Sequence, residues 1–322
     1  MDKPNIYLAP LEGVTSFVFR NAHHRYFSGV SKYFTPFVSP ASTGAFSKRE
    51  MRDVLPENNE APLVPQLLTR SAEAFILGAR TLSDMGYAEV NLNLGCPSGT
   101  VAAKGKGAGF LAFPDELDAF LERIFAETDV KISIKSRLGM TEPEEIWRIL
   151  DIYNKYPISE LIVHPRVRED YYRRPVREEY YAPILQRSRA PVCLNGGIVN
   201  VDGYAKTAAA YPAASGIMIG RGLCADPALA QKITGGVPAS RQALLAFHDE
   251  IMEGYTAAFG SAKSALPRMK ELWFYLINLF EGGEKQAKRL RKTNDVSDYI
   301  ALAHEMISSL PMREKVESDL RA

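Results

Sequence analysis

Short apolar runs alternate along this chain with longer stretches whose apolar residues recur at helical spacing. The short runs predict strands at Ile6 to Ala9, Tyr33 to Phe37, Leu63 to Leu67 and Glu89 to Leu94. Further strands are expected at Lys131 to Lys135, Leu161 to His164, Val192 to Asn195 and Ile217 to Gly220. Between them, Ser71 to Met85, Pro114 to Glu127 and Glu142 to Tyr156 read as helices, with Pro114 and Pro143 where a first turn tolerates proline. Eight strand-then-helix units predict an α/β fold, a parallel (β/α)8 TIM barrel. From about Thr234 the pattern changes. Gly235, Gly236 and Pro238 break the chain, and helical spacing then runs to its end. Leu244, Phe247, His248 and Ile251 share a face, as do Leu272, Tyr275, Leu276 and Leu279, which predicts a small C-terminal helical bundle. The expected division is a barrel over 1–235 and a helical domain over 236–322, with His248 a core histidine.

A closed parallel barrel places its chemistry at the C-terminal ends of its strands. At those ends stand Pro10, Gln66, Asn93 with Cys96, Lys135, His164, Asn195, and Gly220 with Arg221. Each alone has an ordinary structural explanation. Strands used only for packing, however, do not gather amides, a lysine, an imidazole and a thiol at one rim. Val90, Leu92 and Leu94 alternate with Asn91 and Asn93, and Gly95 and Pro97 then stop the strand around Cys96. A thiol at such a junction is well placed to react. After the last two strands come Asn195-Gly196-Gly197-Ile198 and Gly220-Arg221-Gly222, in loops where barrels often seat phosphate on backbone N–H groups.

Charge and cysteine content narrow the class. The formal charge of +1 over 322 residues gives no whole-molecule basic field, so a polyanion must be met by a local patch. One basic group joins Arg166, Arg168, Arg173 and Arg174 with Tyr171 and Tyr172 in the loop after His164. Another joins Lys285, Lys288, Arg289, Arg291 and Lys292 in the tail. The charge of both groups would neutralise RNA phosphates, and the tyrosines of the first offer stacking faces for an unpaired base. Cys96, Cys193 and Cys224 match no zinc spacing and cannot all pair, which suggests reduced thiols and a cytoplasmic protein without metal. No segment is apolar for long enough to span a bilayer, and the first residues do not resemble a signal peptide.

The segments Ala9-Pro10-Leu11-Glu12-Gly13-Val14-Thr15, Pro65-Gln66-Leu67, Asn93-Leu94-Gly95-Cys96-Pro97, Lys135-Ser136-Arg137, Val163-His164, Asn195-Gly196-Gly197-Ile198 and Gly220-Arg221-Gly222, in that order, resemble the tRNA-dihydrouridine synthases. The resemblance covers nearly the whole sequence. It implies an FMN enzyme that reduces the C5–C6 bond of uridine in tRNA, with NADPH or NADH refilling the flavin; a monomer is the separate expectation. It further implies that Pro10 and Leu11 line the flavin ring and that Gln66, Lys135 and His164 contact its polar atoms. Asn195, Gly196, Gly197, Gly220 and Arg221 would hold the phosphate. Cys96 would be the proton donor and Asn93 would help hold the uracil. On the basic charge noted above, Arg166, Lys288, Arg289 and Arg291 are expected to meet the RNA.

The chain departs from the commoner family pattern at Leu11, Pro165 and Gly197, so it assigns no particular uridine. Three other readings remain open at this stage. A flavin barrel of this kind can act on a free small molecule, as in dihydroorotate dehydrogenases or ene-reductases. A strand-end lysine such as Lys135 also suits the Schiff base of an aldolase. An RNA-binding module on an old barrel would leave Cys96 idle.

Overall fold

The computed structural model describes residues 5–317 and 320. Its strands are β1 (Ile6–Leu8), β2 (Lys32–Phe34), β3 (Leu63–Val64), β4 (Gln66–Leu67), β5 (Glu89–Leu94), β6 (Lys131–Gly139), β7 (Leu161–Val167), β8 (Val192–Asn195) and β9 (Gly216–Ile219). They make one sheet in the order β3-β2-β1-β9-β8-β7-β6-β5-β4, parallel throughout. β3 and β4 are one expected strand, interrupted at Pro65, which has no N–H to give a neighbour. The Pro65 carbonyl instead accepts from the N–H of Asn91 at 2.8 Å, and there the sheet meets itself. The TIM-type barrel expected from the sequence is therefore present.

Alternate side chains of each strand point inward, and their character changes along the strands. Tyr7, Phe34, Val64, Ile162, Cys193 and Met218 fill the middle of the barrel. Below them Tyr7 donates to Glu160 at 3.1 Å and Lys32 pairs with Glu89 at 3.0 Å. Two residues further up, the inward positions turn polar: Gln66 follows Val64, His164 follows Ile162 and Asn195 follows Cys193. An apolar plug closes the barrel, and a polar layer sits on it at the C-terminal rim. The outer faces of the strands pack against helices such as Ala72–Asp84 and Pro114–Glu127, burying Phe75, Leu82, Phe120 and Leu121.

Beyond the barrel run helices Arg241–Phe259, Ala262–Leu276, Glu284–Lys292 and Val296–Ser309. Ser240 caps the first by accepting from the N–H of Ala243, and Gly260 ends it in the left-handed region at φ +79°. That helix lies on barrel helix Phe17–Tyr26, with Phe247 edge-on to Phe19 and Phe27 at centroid separations of 5.6 and 5.3 Å. Ile6 and Leu8 of the barrel share one apolar cluster with Trp273 and Tyr299 of the tail. His248 is fully buried and bonded to Tyr299 Oη at 3.0 Å and to Asp249 at 2.9 Å. Among the described residues no helix is long and apolar enough to cross a membrane.

Candidate active site

Two adjoining pockets open at the C-terminal rim and share Pro10, Leu11, Lys135, His164 and Tyr172 as walls. One extends to Arg166, Asn195, Gly196, Gly197, Gly220 and Arg221. The other extends to Glu12, Gln66, Asn93 and Cys96. Thus a single mouth collects the strand-end residues singled out in the sequence.

On the thiol side a row of amides sets the geometry. Asn93 Oδ1 accepts from the N–H groups of Gly95 at 3.0 Å and Cys96 at 2.9 Å. Its Nδ2 donates to Gln66 Oε1 at 2.6 Å, Gln66 Nε2 donates to Asn91 Oδ1 at 2.7 Å, and Asn91 Nδ2 donates to Ser133 Oγ at 2.9 Å. Backbone N–H groups can only donate, so they determine which end of Asn93 is oxygen and, through it, the orientation of Gln66 and Asn91. Cys96 is half-buried, and burial pushes its thiol up, with weaker opposition from the Ser98 backbone and Arg137. It is therefore protonated at neutral pH. Gly107 closes on it from behind: a Cβ there would lie 3.0 Å from both Cys96 Cβ and Cys96 O, at a φ of +58°. All three cysteines are free, but Cys193 and Cys224 are buried away from the mouth, and burial pushes both thiols up.

On the other side the mouth is cationic. Burial lowers Lys135 to about 7, helped by the nearby Arg137 charge. His164 is held well below its ordinary value by burial and then by Arg137, Lys135 and Arg166. Arg166 Nη1 lies 2.7 Å from His164 Nε2. A guanidinium only donates, so Nε2 accepts and the ring proton sits on Nδ1. Arg137 binds the carbonyls of Gly95, Val167 and Tyr171, each at 2.9 Å, while its buried Nη2 has no partner among the described residues. None of Lys135, Arg137, Arg166 and Arg221 has a described carboxylate within 4.0 Å. Arg166 and Arg221, which line the pocket without a carboxylate partner, call for an anion. The adjacent loop turns on glycine: Gly196 stands at φ +131° and packs so closely on His164 that a Cβ there would lie 3.0 Å from its Cδ2.

Three placements differ from the sequence reading. Arg166, assigned there to the RNA surface, is only 5% exposed and faces the pocket. The reason is that β7 continues past His164 to Val167, which makes Arg166 the next inward position. Arg137 was absent from the expected site for the same reason: β6 continues past Lys135 to Gly139. Tyr172 also enters the mouth, its ring 5.4 Å from the Arg137 guanidinium and 5.3 Å from that of Arg221. Its loop turns at Tyr171, a non-glycine at φ +49°. Lys288, Arg289 and Arg291 are not part of the mouth; they lie exposed on helix Glu284–Lys292, where Lys288 and Arg289 line a separate concavity.

Comparison with known proteins adds an independent finding. The family model described as dihydrouridine synthase (Dus) matches residues 7–308. The tRNA-dihydrouridine(16) synthase of Ralstonia nicotianae is 31% identical over 237 residues, which cover 71% of this chain and 72% of that protein. A probable tRNA-dihydrouridine synthase of Staphylococcus epidermidis is 27% identical over 99% of this chain and 98% of its own. Among solved structures, the old yellow enzyme homologue of Zymomonas mobilis superposes with a TM-score of 0.51 at 12% identity, covering 73% of this chain and 90% of that one. Histamine dehydrogenase from Rhizobium sp. 4-9 gives 0.54 at 11% identity, covering 76% and 49%. These two share the barrel fold.

Proposed function

The chain belongs to the dihydrouridine synthase family, and from that premise we propose that it reduces the C5–C6 double bond of a uridine in tRNA, with FMN in the barrel mouth and NADPH as reductant. The observation that carries the proposal is the pairing, in one mouth, of a protonated thiol with Arg166 and Arg221, neither of which has a described carboxylate within 4.0 Å. The family assignment sets aside both the aldolase reading of Lys135 and the idle-barrel reading. A match that runs through the tail helices to residue 308 favours a macromolecular substrate over a free small molecule.

The residues present fit FMN. Its phosphate suits the Gly196-Gly197 turn with Arg166 and Arg221, and its ring system suits the stretch between Pro10, Leu11, Lys135 and His164. Bound FMN, once reduced, supplies a hydride to one carbon of the uracil. Lys135 takes up negative charge beside it, since an amine poised near 7 is readily protonated when an anion arrives. Neutral His164 presents its Nδ1 proton as a donor while Arg166 holds Nε2.

Cys96 provides the proton that completes reduction, leaving a thiolate that solvent reprotonates. Asn93 holds the turn on which the thiol sits, and Gln66 couples that turn to the strand beside it. The exposed row Lys288, Arg289 and Arg291 supplies charge for tRNA phosphates. Three free thiols suit a cytoplasmic setting, where we place the enzyme as a monomer. The test is a dihydrouridine assay on unmodified tRNA with purified protein, FMN and NADPH. Product that depends on both supports the reading; a colourless protein that refuses FMN sinks it.

A further inference from the structure

We propose that the cleft between the barrel rim and the helical tail, walled by Phe17, Tyr255 and Phe259, binds an unpaired nucleotide of the RNA that flanks the target uridine. The inference rests on the function proposed above. The cleft opens at the same barrel end as the catalytic mouth, because the loops after β1 and β2 build both. Glu12 and Pro36 line this cleft on one side and the Cys96 pocket on the other, so a single wall separates the two.

The chemistry of the cleft selects a nucleotide. Tyr255 and Phe259 stack at 5.5 Å with ring planes 10° apart, and Phe259 is 39% exposed. An exposed ring backed by a second ring offers a stacking face that any base can use. Three guanidiniums, Arg49, Arg52 and Arg268, complete the surroundings. The carboxylates there are already engaged: Asp53 accepts from the Phe17 N–H at 2.7 Å and lies 3.5 Å from Arg20, and Glu12 pairs with Arg49. Arg268 pairs with Glu271, whereas Arg52 has no described carboxylate within 4.0 Å and donates only to the Ala258 carbonyl. An apolar ligand would leave Arg52 without a counter-charge, while a free anion would leave the rings unused. A nucleotide uses both.

The location gives the occupant a purpose. Placing one uridine in the mouth unstacks it from its neighbours, and a second base that stacks on Phe259 recovers part of that loss. The experiment compares wild type, Phe259→Ala and Phe259→Trp on tRNA transcripts that carry an abasic residue at each position flanking the target. Phe259→Ala should raise KM for intact tRNA about tenfold, with kcat kept and Phe259→Trp close to wild type. NADPH-driven flavin reduction and thermal melting should not change. One flanking abasic residue should raise the wild-type KM by a similar factor and add nothing further in Phe259→Ala. An unchanged KM in Phe259→Ala, or abasic and protein effects that simply multiply, would overturn the subsite. Absence of dihydrouridine with the wild-type enzyme would instead strike the functional reading beneath it.

Discussion

Asn93 Oδ1 accepts the backbone N–H of Cys96 at 2.9 Å and that of Gly95 at 3.0 Å, so the side chain near the end of β5 fixes the turn that carries the thiol. The same Asn93 gives its Nδ2 to Gln66, which ties the thiol's position to the polar layer above the barrel plug. Position of the proton donor is thus decided by inward-facing amides on rigid strands. This is where precise placement is most easily maintained.

Removing the Asn93 carboxamide leaves two backbone donors and Gln66 Oε1 without their partner. Asn93→Ala should therefore cost about 1–3 kcal/mol in chemical denaturation and lower the rate of dihydrouridine formation well beyond that loss of folded protein. FMN should still bind, since the phosphate turn is built from other strands. A variant with normal single-turnover kinetics would show that the turn holds itself.

Gly107 restrains the same thiol from the opposite side. Gly107→Ala adds a Cβ that would lie 3.0 Å from Cys96 Cβ and 3.2 Å from Val101 Cγ1, so Cys96 must move. We expect a reduced rate of uridine reduction with flavin reduction by NADPH intact, measured separately by absorbance. Equal loss in both half-reactions would contradict a local effect on the thiol.

Lys135 makes a pH prediction with a definite sign. It is held at about 7 in the flavin-free fold, against about 10.4 in an unfolded chain. Between those values the unfolded chain binds the extra proton, so stability rises with pH; the penalty is complete below 7 and absent above 10.4. Lys135→Met removes it. Between about pH 9.5 and about 7.5, flavin-free wild type should lose stability relative to Lys135→Met by roughly 1.4 kcal/mol per pH unit, read from urea midpoints. Parallel curves would show that Lys135 titrates normally.

The basic tail can be tested without disturbing its helix. Lys288, Arg289 and Arg291 lie toward the C-terminal end of Glu284–Lys292, where positive charge also favours the helix dipole, so glutamine is a gentler replacement than glutamate. The triple glutamine variant should bind tRNA more weakly and lower the slope of log affinity against log salt by about 2. FMN content should be unchanged. Identical salt dependence would remove this face from the RNA interface.

The barrel was legible because its strands are buried on both faces and read as short apolar runs between helical periods. Val192 to Asn195 and Glu89 to Leu94 have the boundaries expected from sequence. Where the structure differs, the cause is the site itself. Lys135-Ser136-Arg137 and His164-Pro165-Arg166 look like strand ends because they are polar, yet β6 and β7 continue through them. Arg137 and Arg166 could have been found by extending the alternation two residues past Lys135 and His164. Tyr172 had no such signal: it reaches the mouth through a loop turn at Tyr171 that only the folded chain displays. The Phe259 cleft was equally hidden, since it joins a barrel loop to residues more than two hundred positions away.

The most direct test is single-turnover reaction of Cys96→Ala, loaded with FMN and pre-reduced by NADPH, with unmodified tRNA. Flavin reduction should proceed as in wild type while dihydrouridine formation falls at least about a hundredfold, the usual contribution of a positioned general acid. Dihydrouridine formed at the wild-type rate would contradict the assignment of the proton to Cys96.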